Sequence, residues 1–324
     1  MAPGLSGSSQ AHRRLRILLG HTADTDATVY PLPPWTACSC NSRKQQEEGL
    51  TEEERYFFDV YGWVVVPSVL NAAQITACNA AIERNRGQVK YTPLSAGYPG
   101  APLRPWVVPR SLAGSSKYPG RSQLPNTMCL AAPHRRIFRE IFVLGKTLGC
   151  MQDLIGNGFR GSEGRVLLTQ TGAEGHALHS GGTTRDADEE ASTLSLGGNM
   201  SLYHNGRLWN TVMSCQYALT DVPPEAGGFC CISGSHKSNF ECPQHVRDGQ
   251  DYKGMLARQQ LTQPVMKSGD MLLFTEAVTH GTLPWKEQHE RRALFFRYNS
   301  RERGGIAIPT TAAEREDFVT AVDD

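Results

Sequence analysis

Between residues 51 and 85 the apolar positions recur three and four apart. After residue 165 they fall instead into short β-branched and aromatic runs. The first pattern predicts helices and the second predicts strands. In "LTEEERYFFDVYG", Thr51 followed by Glu54 forms a capping box, so a helix opens there and Gly62 ends it. "WVVVP" follows as a short strand stopped by Pro67. In "NAAQITACNAAIERN", Asn71 caps a second helix whose stripe is Ile75, Cys78 and Ile82, with the polar Asn79 beside it. Residues 87–132 are dense in Gly, Pro, Ser and Tyr and show no period, which predicts one long loop of the kind that forms lids and substrate-binding segments. "PHRRIFREIFVLGKTLGCMQDLIG" has apolar residues at helical spacing and Pro133 at its start, and predicts one further substantial helix.

From residue 165 the runs "GRVLLTQTG", "TVMSCQYALTDV", "GGFCCISGSH", "QPVMKSGDMLLFTEAV" and "RRALFFRYN" are punctuated by Gly, Pro, Asn and Asp. Many short strands at fairly even spacing predict a sandwich or barrel. "YHNGR" adds an Asn-Gly hairpin turn after His204. The expected fold is mainly β with flanking helices, a double-sheet jelly roll. Residues 1–48 read as an irregular N-terminal tail, 49–310 as a single domain, and 311–324 as a C-terminal tail.

Composition narrows the classes. The chain has 324 residues, 39% of them hydrophobic, enough for a sizeable core. Lys plus Arg is 33 against 32 for Asp plus Glu, a balance that gives no reason to expect a nucleic-acid partner. No apolar window approaches the ~18 residues of a membrane span. Nine scattered cysteines, with no CxxC pair, predict mostly reduced thiols in an intracellular, cytoplasmic setting. The N-terminus carries Arg13, Arg14 and Arg16 with no acid before Asp24, which fits an organelle-targeting segment as well as a plain tail.

Most of the ten histidines have bland readings. His12 and His21 lie in the tail; His134, His245 and His289 read as surface residues; His176, His204 and His236 read as loop or turn residues. His179 and His280 differ. Each ends a strand-like run and is followed closely by glycine, which allows close approach to the backbone. Two histidines from different strands can supply two facial ligands to Fe(II), with a carboxylate as the usual third. Arg291 follows His280 by eleven residues, at the start of the next strand, where an antiparallel turn returns it to the same cavity. A guanidinium there suits the carboxylate of an acidic cosubstrate. Thr282 shares the face of His280 and can donate its hydroxyl. Alternation sends one of Arg291 and Arg292 inward, and we assign Arg291.

The order and spacing of "YALTDVPPEAGGFCCISGSHKSNF", "SGDMLLFTEAVTHGTLPW" and "RRALFFRY", with "FFDVYGWVVVPSVLNAAQI" upstream, resemble the phytanoyl-CoA dioxygenase family over residues 51 to 300. The resemblance implies a double-stranded β-helix of cupin-like type. It implies Fe(II) held by a His-x-Asp pair and a distal histidine, and 2-oxoglutarate held by an arginine on the last core strand. His280 resembles the distal ligand, Arg291 the cosubstrate arginine and Thr282 its hydroxyl neighbour, with Arg292 adjacent. His179 resembles the proximal histidine. The implied activity is oxygenation by molecular oxygen, hydroxylating a C–H bond of a small or lipid-like substrate.

The proximal motif departs from the family, because His179-Ser180-Gly181 puts glycine where the carboxylate is expected. Three readings follow. A carboxylate from elsewhere, Glu174, Asp186, Asp188 or Glu276, completes the site. Alternatively halide fills the open position, as in related 2-oxoglutarate halogenases. Thirdly, the metal site has decayed and the jelly roll only binds. Arg104, Trp106 and Arg110 in the long loop are candidate substrate contacts. Trp209 and Trp285 are cavity or core residues, and Asp221 is a structural acceptor for backbone N–H groups.

Overall fold

Both capped helices form as the sequence predicts. The computed structural model describes residues 49–91, 121–171, 173, 175–179, 201–240, 242–247, 249, 251–309 and 311–321. Helix α1 spans Glu52–Tyr61. Its first-turn amide at Glu54 donates to the Thr51 hydroxyl, the Glu54 carboxylate takes the Thr51 amide, and Gly62 ends the helix at φ +80°. Strand β1, Trp63–Val66, follows directly. Helix α2, Ala72–Arg84, has the reciprocal cap of Asn71 and Gln74 and buries Cys78, Ala81 and Ile82.

The long aperiodic stretch is not all loop. Its described ends pair as β2, Lys90–Tyr91, and β3, Arg121–Leu124. Two to four residues are too few to show a period of two, so only the pairing reveals them. The expected third helix is two: α3, Arg135–Phe142, and α4, Gly145–Leu154, separated where Leu144 is extended. Val143 and Leu144 still bridge the apolar pattern, which is why the break is silent in the sequence.

Nine further strands complete the β core: β4 Arg160–Thr169, β5 His176–His179, β6 Ser201–His204, β7 Arg207–Asn210, β8 Val212–Ala218, β9 Gly228–Cys231, β10 Met271–Thr275, β11 His280–Leu283 and β12 Arg291–Asn299. A short β13, Ile306–Ala307, pairs with β4. The major sheet runs β1-β10-β8-β12-β4-β3-β2, and the minor sheet runs β5-β11-β9. Every pairing with a recorded register is antiparallel. The hairpin β6–β7 turns on Asn205 (φ +50°) and Gly206 (φ +75°), the doubly left-handed turn that Asn-Gly favours.

Strand alternation divides the core into two layers. Val166, Leu168, Cys215, Tyr217, Leu273, Leu294, Phe296 and Tyr298 point from the major sheet to a cluster that includes Phe58, Ile82, Phe142 and Met151 of the helices. The opposite face carries Leu272, Phe274 and Phe295 and packs with Phe229 of the minor sheet. Phe229 and Phe274 meet at 4.6 Å between ring centroids, which fixes the two sheets face to face. Each fully buried Phe or Leu contributes about 1.5–3 kcal/mol. This is the jelly roll expected from the sequence, with α1–α4 over the major sheet and two short helices, α5 Gln244–Arg247 and α6 Tyr252–Ala257, the latter packed on the outer face of the minor sheet.

The C-terminal segment is not a tail. The C-terminal helix α7, Ala312–Thr320, which follows the short helices α5 and α6, has its own capping box at Thr311 and Glu314. It buries Val319 in the main core and sets Phe318 5.7 Å from Phe142. The described residues lie in one unit, Arg43–Asp324, and the expected N-terminal tail lies outside them. Among the described residues no helix is long and apolar enough to cross a membrane.

Candidate metal and cosubstrate site

His280 does not end a strand, as the apolar run suggested; it opens β11 after a short turn from β10. There it is the register partner of His179 on one side and Cys231 on the other. Register partners project to the same face. The His179 and His280 ring centroids are 4.3 Å apart, both on the face turned toward the major sheet. His280 is 7% exposed and packs against Phe274 at 4.9 Å and Phe229 at 5.9 Å.

Each ring is oriented by its own backbone. His280 Nδ1 lies 2.7 Å from the Val278 carbonyl, and His179 Nδ1 lies 3.0 Å from the Ala177 carbonyl. A carbonyl only accepts, so both Nδ1 atoms carry a hydrogen and each ring turns its Nε2 edge away from that carbonyl. This is the second-contact arrangement that metal-ligating histidines use. Burial, with the neighbouring His280 and His176, pushes the His179 pKa down to about 3, so its ring is neutral at physiological pH.

His176, read above as a loop residue, is on β5 and buried. Its ring lies 4.7 Å from that of His179, and its Nδ1 approaches the same Ala177 carbonyl at 3.0 Å. Three residues apart, the two would face opposite ways in a regular strand. A bulge between the His280 and Thr282 pairings turns His176 to the same face, opposite Thr282. No sequence period reports a bulge.

Arg291 opens β12 and is 2% exposed, on the inner face with Ala293 and Phe295. Its Nη2 donates to Gln216 Oε1 at 3.2 Å. Gly228 makes room for it: φ there is +83°, and a Cβ would stand 2.7 Å from Arg291 Nε. Gly228 pairs with Leu283, three residues along β11 from His280 and so about 10 Å of strand away. Thr282 lies between. Opposite Arg291 in β4, Thr169 is fully buried and its hydroxyl has no hydrogen-bond partner. An orphaned hydroxyl beside a buried guanidinium is a pair of donors shaped for a carboxylate.

Arg292 is turned the other way and is withdrawn as a cosubstrate residue. Its guanidinium meets Glu290 at 2.9 Å, Asn79 at 3.0 Å and Glu83 on the outer face, against α2. The period of two forbids both neighbours from facing the cavity.

A carboxylate does stand beside the histidines. Glu276 lies in the turn between β10 and β11 and is 4% exposed. Its Oε1 accepts from the Ser214 hydroxyl and from Arg297 Nε at 3.1 Å, while Oε2 is 3.8 Å from His280 Nε2. Burial favours the neutral acid, yet His280, Arg297 and Ser214 outweigh it and hold the carboxyl well below the usual range. Cys231, beside His280, is unsuited as a ligand because burial pushes its thiol up to about 12. Among the described residues no group of three or more His, Cys, Asp or Glu side chains is placed to hold a metal ion. Glu174, Gly181, Asp186, Asp188, Arg104, Trp106 and Arg110 lie outside the described residues. Trp209 is half-exposed on β7, whereas Trp285 is core and donates to the His289 carbonyl at 2.7 Å. Asp221 accepts the Ser268 amide at 2.8 Å.

The family profile described as phytanoyl-CoA dioxygenase (PhyH) matches residues 171–293, which contain both histidines, Glu276 and Arg291. No curated protein sequence matches the chain. Among solved structures, HygX from Streptomyces hygroscopicus with nickel and 2-oxoglutarate bound is 22% identical, at TM-score 0.57 over 83% of this chain and 99% of that one. The non-haem α-ketoglutarate-dependent carbocyclase SnoK of nogalamycin biosynthesis is 17% identical, at TM-score 0.53 over 79% of this chain and 86% of that one. The epimerase SnoN in complex with Fe3+, α-ketoglutarate and nogalamycin RO is 16% identical, at TM-score 0.52 over 84% and 91%. At these identities the likeness establishes the fold, a cupin-like jelly roll.

Proposed function

We propose that the chain, whose residues 171–293 match the phytanoyl-CoA dioxygenase profile, is a non-haem iron, 2-oxoglutarate-dependent oxygenase hydroxylating a C–H bond of a small or lipid-like molecule. The observation that carries this reading is the pairing of His179 and His280, each with Nδ1 on a backbone carbonyl, together with the buried Arg291 on the inner face of the major sheet. His179 and His280 would hold Fe(II), and nitrogen with carboxylate donors suits that ion. Arg291, backed by Gln216, would anchor the distal carboxylate of 2-oxoglutarate, with Thr169 and Thr282 donating hydroxyls. When bound, iron and 2-oxoglutarate supply the oxidising equivalents that a protein side chain lacks.

The rest is work for the chain's own residues. Phe229, Phe274 and Phe295 wall the cavity and keep water from the reacting centre. The Val278 and Ala177 carbonyls engage Nδ1 of each imidazole and orient the ring. The HygX and SnoN structures hold 2-oxoglutarate or α-ketoglutarate with a metal, in support of the same pair here.

The test is 2-oxoglutarate decarboxylation in the absence of prime substrate. His280→Ala should abolish it while the fold, followed by circular dichroism, persists. Unchanged turnover in that variant would overturn the assignment.

A further inference from the structure

A cavity of about 340 Å³ opens between α1, the β6–β7 hairpin and the turn that follows β9. Among the described residues it is lined by Asp59, Ser201, Tyr203, Leu208 and Lys237, none of which belongs to the proposed iron and 2-oxoglutarate site. We infer that this cavity binds a small zwitterion, an α-amino acid with an apolar side chain. The inference stands apart from the iron reading and does not require it.

Hairpin register builds one wall. Tyr203 and Leu208 are partners across β6 and β7, so they project to one face, and Ser201, two residues back along the strand, shares it. Tyr203 is 68% exposed, a large ring left at the rim. The opposite wall is charged. Lys237 Nζ lies 3.0 Å from Asp59 Oδ2, and both side chains are nearly half-exposed. An ion pair this open adds little to stability. The junction it spans is already tied by two bonds to backbone carbonyls. The Gly234 amide donates to the Tyr61 carbonyl at 2.8 Å, and His236 Nε2 donates to the Asp59 carbonyl at 3.1 Å. The two charges are therefore available to a ligand. Asp59 Oδ1 makes no hydrogen bond, and the soft χ2 of an aspartate can turn it toward an entering donor.

The lining selects the ligand class. Lys237 carries three N–H donors, of which Asp59 takes one, and the others suit a carboxylate. An α-amino acid holds its ammonium and carboxylate on one carbon. Side by side, they meet Asp59 and Lys237 head to tail without breaking that pair. The Ser201 hydroxyl can serve either group, and the ligand's side chain lies on Tyr203 and Leu208. A mostly polar lining, in a volume at the small end of the ~300–1,000 Å³ range of ligand sites, disfavours a long acyl chain.

The experiment is calorimetric titration of the full chain with L-leucine, with and without excess 2-oxoglutarate. The comparison probe is 4-methylpentanoate, the same skeleton without the ammonium. L-leucine should bind, and 4-methylpentanoate should bind roughly 10- to 100-fold more weakly, the loss of one hydrogen-bonded charge. Asp59→Asn should bring L-leucine down to the level of 4-methylpentanoate, and excess 2-oxoglutarate should leave its affinity unchanged. Thermal melts verify folding, and Asp59→Asn keeps the backbone carbonyl that His236 uses. Tyr203→Ala, at an exposed hairpin position, should also weaken L-leucine and keeps the test decisive if Asp59→Asn does not fold. No binding of L-leucine to folded wild type, or equal affinity for the two probes, overturns the inference. Displacement by 2-oxoglutarate would put L-leucine in the proposed iron cavity and overturns it as well.

Discussion

His179 and His280 are direct register partners on neighbouring strands, with their rings 4.3 Å apart and each Nδ1 on the carbonyl two residues earlier, Ala177 in β5 and Val278 in the turn before β11. They are 101 residues apart in sequence, and the antiparallel pairing of β5 with β11 brings them together. Two imidazoles fixed this way would offer a pair of nitrogen donors to the proposed iron.

Arg291 gives the first prediction. Its replacement by Ala removes a buried charged donor, a loss of about 2–4 kcal/mol, or roughly 30- to 1000-fold in affinity for 2-oxoglutarate. Thr169→Val is nearly isosteric and removes only the orphaned hydroxyl, for about 1 kcal/mol. Equilibrium titration of 2-oxoglutarate should rank the losses Arg291→Ala over Thr169→Val, and equal affinity in all three proteins would contradict the clamp.

Gly228 offers an indirect route to the same group. Gly228→Ala requires a left-handed backbone, at ~1–2 kcal/mol, and sets a methyl 2.7 Å from Arg291 Nε. It should lower the melting temperature and weaken 2-oxoglutarate binding together. A variant that loses stability but binds 2-oxoglutarate normally would show that the guanidinium does not depend on that glycine.

The outer-face network makes a pH prediction. A hydrogen bond from Arg86, with Arg292 adding to it, holds the Glu83 carboxyl at about 2 instead of its ordinary 4.5. A depressed carboxylate stabilises fully above its ordinary value, and that contribution is lost as pH falls from 4.5 toward about 2. Because Glu83 is exposed, the effect is limited to roughly 0.5–1 kcal/mol. Glu83→Gln should flatten the wild-type decline in melting temperature over that window. Arg292→Ala should do the same and leave 2-oxoglutarate affinity unchanged, since its guanidinium faces away from the cavity.

Helix α7 predicts that the last residues are structural. Truncation after residue 310 removes buried Val319, the Phe318 contact with Phe142 and the Ala321 carbonyl that accepts from Arg139 at 2.7 Å. The loss should be roughly 3–5 kcal/mol, read as an earlier denaturant midpoint. A truncated chain with wild-type stability would restore the reading of this segment as a tail.

These features differ in how far the sequence discloses them, and the reason is locality. Thr51 with Glu54, Asn71 with Gln74 and the Asn205-Gly206 turn are decided within a few residues, and their signals are plain. The inward turn of Arg291 and outward turn of Arg292 follow from a period of two. His176 was missed because a bulge overrides that period. Glu276 stood as one of four carboxylates because a turn residue has no period to orient it, and only Ser214 and Arg297, 62 and 21 residues away, show where it points. The break between α3 and α4 and the pairing of β3 with β4 are likewise set by tertiary packing.

The most direct measurement is an anaerobic titration of the wild-type protein and His280→Ala with Fe(II) and 2-oxoglutarate, watched in the visible. The account predicts a charge-transfer band saturating at one iron per chain in the wild type and none in the variant. Absence of the band in folded wild-type protein, or its persistence without His280, would contradict it.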